Sequence, residues 1–270
     1  MIFDTHIHLN DEKLYNNLDF YLKEADERGV KLFLVIGYDK KSSELAVKIA
    51  NKYKNCYAAI GIIPTEHKDY DDNSIGFLRD LYNKNKEKVK AIGEIGLDYY
   101  WEDALNIKIK QKKMFIEQIE LANELNLPIS IHSRDSIQDT FDILKKHKVN
   151  KCGVMHCYSG SLEMAKEFIK LGYKIAFGGV LTFKNSVTSK EVLQNISLDS
   201  IVFETDAPYL APTPYRGKLN EPKFIKNTVL YAANFLNIDS DELERIAFDN
   251  SLKVFDIKYD ENWCFNCCRR

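Results

Sequence analysis

Eight short runs of β-forming residues, apolar almost from end to end, recur along this 270-residue chain, each followed by a stretch of helical periodicity. They cover residues 2–8, 31–38, 56–64, 89–96, 128–133, 153–158, 173–179 and 201–206. A strand with one face in water alternates polar and apolar side chains, whereas a strand covered on both faces does not. The runs therefore read as parallel strands with helices packed outside them. Leu18, Leu22 and Ala25 stand at helical spacing before Gly29, a residue type suited to a helix C-terminal cap. Met114, Ile119, Ala122 and Leu125 belong to a long helical stretch that stops before Pro128. Leu162, Ala165, Phe168 and Ile169 form another that ends at Gly172, and Asp239 with Glu242 predicts a capping box opening a helix through Phe255. Eight strand–helix units predict an α/β chain closed into a (β/α)₈ TIM-type barrel. An open doubly wound sheet is the alternative, but no Gly-x-Gly-x-x-Gly or P-loop follows any of the runs.

No change of composition marks a second domain, so residues 1–258 read as one barrel domain and 259–270 as a Cys-rich, flexible tail. The tail holds Cys264, Cys267 and Cys268, and a closed zinc site wants four ligands that the tail does not offer. Cys56, Cys152 and Cys157 lie in or beside apolar runs and read as small core residues. The formal net charge of −2 argues against a broad cationic surface, so any nucleic-acid contact is expected to be local. No apolar run is long enough to span a bilayer, and the first residues lack the pattern of a signal peptide, so a cytoplasmic protein with no membrane contact is expected. Nothing in the sequence calls for an obligate protein partner.

In a parallel barrel the carboxyl ends of all strands meet on one face, and that face carries the chemistry. Residues able to hold metal ions gather there: His6 and His8 in the first run, Glu94 in the fourth, His132 in the fifth, His156 in the sixth and Asp206 in the eighth, with Glu204 two residues before it. His6 and His8 are two apart, so an extended strand points both side chains the same way. Taken alone, each histidine reads as a satisfied core residue. A carboxylate at the inner end of an apolar strand is costly to bury without a partner or a cation. Six such residues on one expected face read as a metal site. His147 follows two lysines and reads as a surface residue, while His67 lies in a loop and stays open.

These residues fall in stretches that resemble the TatD family of metal-dependent deoxyribonucleases, within the amidohydrolase superfamily. The stretches are Asp4-Thr5-His6-Ile7-His8-Leu9, Gly93-Glu94-Ile95-Gly96-Leu97-Asp98-Tyr99, Pro128-Ile129-Ser130-Ile131-His132-Ser133-Arg134, His156-Cys157-Tyr158-Ser159-Gly160, Glu204-Thr205-Asp206-Ala207-Pro208-Tyr209-Leu210 and Arg216-Gly217-Lys218-Leu219-Asn220-Glu221-Pro222. The resemblance implies a barrel holding two divalent metal ions, for which magnesium can serve, whereas imidazole-rich ligation favours zinc, manganese or iron on grounds of softness. It implies that His6, His8, Glu94 and Asp206 hold one ion, and that Glu94 bridges to a second held by His132 and His156. It departs at Gly61-Ile62-Ile63-Pro64-Thr65-Glu66-His67, where the family carries His-Pro-His: positions 63 and 65 are Ile and Thr, which removes the contacts those histidines would supply.

A two-metal site activates water for attack on phosphorus. Asp206 is the expected proton acceptor, with Glu94 and Glu204 as its catalytic companions, Glu204 binding an ion or orienting the water. Ser133, Arg134 and Arg216 are expected to contact substrate phosphate by charge-assisted hydrogen bonds, with Lys218 beside them. The substrate expected is DNA, single-stranded or entered from a 3′ end, and Tyr99, Tyr100, Trp101 and Tyr209 are candidates for stacking on bases. The alternative is an amidohydrolase that splits an amide, ester or lactone on the same scaffold, because fold and metals do not fix the substrate.

Overall fold

The computed structural model describes residues 1–259. The cysteines at 264, 267 and 268 lie outside the described residues. Eight parallel strands run in sequence order around the barrel: β1 (Ile2–Ile7), β2 (Val30–Ile36), β3 (Cys56–Ile60), β4 (Val89–Asp98), β5 (Ile129–Arg134), β6 (Gly153–Met155), β7 (Lys174–Phe177) and β8 (Ile201–Phe203). The helices are α1 (Glu12–Tyr15), α2 (Leu18–Glu27), α3 (Lys40–Lys52), α4 (Ser74–Lys84), α5 (Leu105–Leu125), α6 (Ile137–Lys146), α7 (Leu162–Lys170), α8 (Val187–Asn195), α9 (Ile225–Leu236) and α10 (Ser240–Phe255). Each expected run overlaps one strand, and the TIM-type barrel is the observed fold.

The strands carry two buried faces, as their unbroken apolar composition requires. One face packs on helices: Phe33, Val35, Ala58 and Ile60 join Leu22, Ala46, Phe115 and Phe168 in the larger core cluster. The other contributes Leu32, Leu34, Ala59, Ala91, Val154, Ala176 and Val202 to a second cluster closed by Phe248 and Phe255 of α10. Val154 and Val202 stand two residues before His156 and Glu204, so this second cluster is the apolar floor beneath the polar residues. Fully burying one such side chain stabilises the fold by about 1.5–3 kcal/mol.

Strand ends differ from the sequence expectation where the site begins. β4 runs on to Asp98, two residues past the expected end, while β3 stops at Ile60 and the chain turns through a 3₁₀ segment at Pro64–Glu66. β6 and β8 end before His156 and Asp206, which are the first and third residues of the loops that follow. Close approach on both sides of β5 is possible because the facing residues are glycines. A Cβ on Gly96 would come within 1.9 Å of the His132 carbonyl oxygen, and one on Gly153 within 1.9 Å of that of Ile129. Asp239 caps α10 by accepting from the backbone of Asp241 and Glu242, but the reciprocal two-way box occurs at Asp39 and Ser42 of α3 instead.

The barrel closes between β8 and β1 above the ends of the regular ladders. His8 N donates to Ala207 O at 2.8 Å, Asp206 N to His6 O at 2.9 Å, and the Thr5 hydroxyl to Phe203 O at 2.9 Å. Asp4, fully buried, accepts from Thr205 Oγ1 at 2.6 Å and Thr205 N at 2.9 Å. Burial pushes the Asp4 carboxyl up to about 8 despite these bonds. Among the described residues no helix is long and apolar enough to cross a membrane.

Candidate metal centre

The six expected ligands come together around Glu94 and Asp206. Glu94 Oε2 lies 3.5 Å from His6 Nε2, and its Oε1 lies 3.0 Å from His132 Nδ1 and 3.9 Å from His156 Nε2. Asp206 completes the other side, with Oδ1 3.4 Å from His8 Nε2 and 3.9 Å from His6 Nε2. Three overlapping donor groups result: His6–His8–Glu94, His6–His156–Asp206 and Glu94–His132–His156.

The spacing suits cations. Two ligand atoms each about 2.1 Å from one ion stand roughly 3–3.5 Å apart, and the shorter of these separations fall in that range. His6 Nε2 is buried and has no hydrogen-bond partner although two carboxylates face it. An imidazole nitrogen left so in a dry site is a lone pair, or a proton, awaiting a ligand.

Each histidine shows one nitrogen to the carboxylates and turns the other away. His132 Nε2 meets Asp98 Oδ2 at 2.8 Å, while His156 Nδ1 approaches Glu204 Oε1 at 2.9 Å without the alignment of a hydrogen bond. A carboxylate behind a ligating imidazole fixes its ring orientation and raises its basicity. His6 Nδ1 has the Ser130 hydroxyl at 3.4 Å, and His8 Nδ1 is buried without a hydrogen-bond partner. The His6 and His156 rings stack with centroids 3.5 Å apart.

Electrostatics follow from this crowding. Burial alone would lower the pKa of His156, but Glu204, then Glu94 and Asp206, raise it to about 10. Burial likewise opposes charge on His132, and hydrogen bonds to Asp98 and Glu94 raise it to about 9. His6 moves down, through burial and then repulsion from His156 stacked on it. Burial would raise Glu94 and Asp206, yet the surrounding histidines hold both carboxyls down. With no cation bound, the carboxylates around His132 and His156 thus favour the protonated form of both rings.

Glu204 is fully buried and sits behind His156 rather than among the central donors. Its Oε1 accepts from Cys157 N at 2.7 Å. The Cys157 backbone is left-handed, at φ 44°. Its thiol, the neighbour of His156 and Glu204, is pushed well up by burial and then by Glu204 and Asp206. Two residues that the sequence argument passed over complete the setting: Asp98 behind His132, and Ser130 behind His6. Both stand inside the motif stretches, and Ser130 lies two residues before His132 on the same strand face, which is the signal that would have found it.

The expected substrate contacts divide. Arg134 is exposed and lines, with His132, His156 and Asp206, a cavity of about 350 Å³ at the barrel mouth. Among the described residues no carboxylate lies within ion-pair distance of its guanidinium. Ser133 borders the same cavity, but its hydroxyl is bonded to Ser136 and Thr140 on the α6 side. Arg216 lies over the ring of Phe183, 4.4 Å from its centroid, and it and Lys218 are exposed. Ile63 and Thr65 are half-buried, and His67, buried, has Nε2 3.2 Å from Glu102 Oε2. A wider groove of about 630 Å³ opens between α4 and α5, where Arg79 pairs with Glu124; it holds none of the central donors.

Comparison with known proteins agrees with this geometry. A sequence model of the family described as TatD related DNase matches residues 3–256. The chain is 39% identical over 258 residues to the uncharacterized metal-dependent hydrolase YabD of Bacillus subtilis, covering 95% of this chain and 100% of that one. It is 34% identical over 259 residues to the uncharacterized metal-dependent hydrolase YcfH of Escherichia coli, covering 94% and 95%. Among solved structures it is similar to YjjV, a TatD homologue from Escherichia coli, with TM-score 0.91, 29% identity and coverage of 95% and 98%.

Proposed function

The chain belongs to the TatD-related DNase family as a metal-dependent hydrolase, and from that premise we propose that it cleaves DNA phosphodiester bonds, working inward from a 3′ end. The observation that carries the reading is Glu94, whose two oxygens face separate histidine sets, His6 on one side and His132 with His156 on the other. A carboxylate so shared suits a pair of cations, the first held by His6, His8, Asp206 and Glu94, the second by Glu94, His132 and His156. When bound, such ions lower the pKa of water and offset charge on phosphoryl oxygens.

The protein's own residues supply the rest. Asp206, kept ionised in the donor cluster, accepts the proton of the attacking water. Glu204 and Asp98 hold the His156 and His132 rings in place. Arg134, a cation with no carboxylate partner on the wall of the same cavity, favours an anionic substrate over a neutral amide or lactone. The cavity is too small to take in a duplex, which suits a single-stranded end.

Metal analysis paired with digestion of a 3′-labelled single-stranded oligonucleotide tests the reading. Metal-dependent release of label that disappears in a His6→Ala/His8→Ala variant is expected. Bound metal with an intact oligonucleotide would sink the nuclease assignment and direct the search to amides, esters and lactones.

A further inference from the structure

The sequence offered four aromatic residues beside the site, and the structure separates them by what they already hold. The Tyr99 hydroxyl donates to Asp139 at 2.7 Å, and Lys108 lies 4.5 Å from its ring centroid. The Tyr209 hydroxyl donates to Asp11 at 2.8 Å. Both are committed to the protein. Tyr100 and Trp101 are not: they are 53% and 66% exposed, set edge to face with centroids 4.9 Å apart. Two large rings bared side by side, covered only by each other and by Arg134, leave apolar surface open to a ligand.

Their position is fixed from the metal centre itself. Asp98 Oδ2 meets His132, while Asp98 Oδ1 accepts from Tyr100 N at 3.0 Å and Trp101 N at 3.3 Å. One carboxylate thus orients a candidate ligand and pins the backbone of the aromatic pair. Arg134 supplies the second link. It lies two residues past His132 on β5, the next position on the same face and about 6.6 Å further along the strand. Its guanidinium carbon sits 3.6 Å from the Tyr100 centroid and 5.5 Å from that of Trp101, yet the residue also lines the site cavity. A guanidinium packed on a ring keeps its in-plane N–H groups free for a phosphate.

We propose that Tyr100 and Trp101, with Arg134 laid over them, form a stacking subsite for one unpaired nucleobase next to the scissile linkage. The proposal rests on the reading of the substrate as DNA and adds how that substrate is gripped. Stacking on an aromatic face does not select among bases, so the subsite recognises an unstacked base of any identity. A base paired within a duplex has no free face to offer it, so the subsite selects for single strands.

The test uses two single-stranded oligonucleotides with the same phosphodiester backbone. One is all thymidine; the other carries abasic residues on both sides of its 3′-terminal linkage. The readout is the ratio of kcat/KM for the first over the second, measured in wild type, Trp101→Ala and Trp101→Phe, so that differences in folded or metal-loaded fraction cancel. The expected ratio is about 5- to 150-fold in wild type, close to one in Trp101→Ala, and restored in Trp101→Phe. A ratio near one in wild type, or an unchanged ratio in Trp101→Ala, overturns the subsite. If neither oligonucleotide is cut, the nuclease reading fails, and the same ratio is taken from dissociation constants of the metal-free protein. A base-dependent ratio lost in Trp101→Ala then upholds the subsite, while base-independent or absent binding overturns it.

Discussion

The two halves of the donor cluster are built differently. On the β5–β6 side, His132 and His156 each have a buried carboxylate behind them, Asp98 and Glu204. On the β1–β8 side, His6 has only a hydroxyl at 3.4 Å, and His8 has no hydrogen-bond partner for its outer nitrogen. In the first half, His132 is hydrogen-bonded to its carboxylate before any cation arrives, while Glu204 acts on His156 by charge and close contact alone. The second half is held by backbone bonds across the closure of the barrel and by packing, with no carboxylate behind either imidazole. Preorganisation is thus concentrated where Glu94 meets His132, and the other half relies more on the cation to complete its geometry.

Experiments can break this comparison, and the largest effect is expected at the residue both halves share. Glu94→Gln should lower bound metal in both halves and cost more activity than any other single change. Metal content by mass spectrometry, with two ions retained, would refute the shared role. Asp206→Asn should follow, with turnover down about 10²–10⁴-fold, the range for loss of a positioned acid–base group. Its circular dichroism and melting curve should stay close to wild type, and retained turnover would remove Asp206 from the chemistry.

The comparison itself is sharpened by the residues behind the ligands. Asp98→Asn should weaken one of the two ions by about 10–100-fold, as loss of an orienting carboxylate does. Ser130→Ala should have a smaller effect, on the other ion. A two-site titration against a chromophoric chelator resolves the two, and equal effects would show that the halves are alike after all.

The smallest effect is one of pH. His132 and His156 titrate near 9 and 10 in the metal-free fold against about 6.5 unfolded, so they bind more protons when folded. Their stabilisation is complete below about pH 6.5 and is lost as pH rises through 9 and 10. The metal-free protein should therefore melt progressively lower from pH 7 to pH 10, and metal binding near neutral pH should release one proton from each ring. Calorimetry in buffers of different ionisation enthalpy reads that release, and none at all would mean the rings are neutral beforehand.

The barrel and its six central donors were legible because both rest on patterns that tertiary context rarely overrides. Unbroken apolar runs need two buried faces, and ionisable residues at their ends need a reason to be there. Orientation was less legible. Ser133 follows His132 directly, so it points to the other side of β5, and its hydroxyl joins α6. Glu204 sits two residues before Asp206, but β8 ends at Phe203 and the left-handed backbone of Asp206 separates the two carboxylates. Asp98 escaped notice because β4 was expected to end at Gly96, which left it in a loop.

The seam between the first and last strands carries a consequence for biosynthesis. His6 and His8 are made some 200 residues before Asp206 and Thr205, which bond to His6 and Asp4. A ribosome-bound or truncated chain that stops at β8 possesses five of the six donors yet lacks the strap that holds the first two in place. The donor set is thus completed only once translation has passed the last strand.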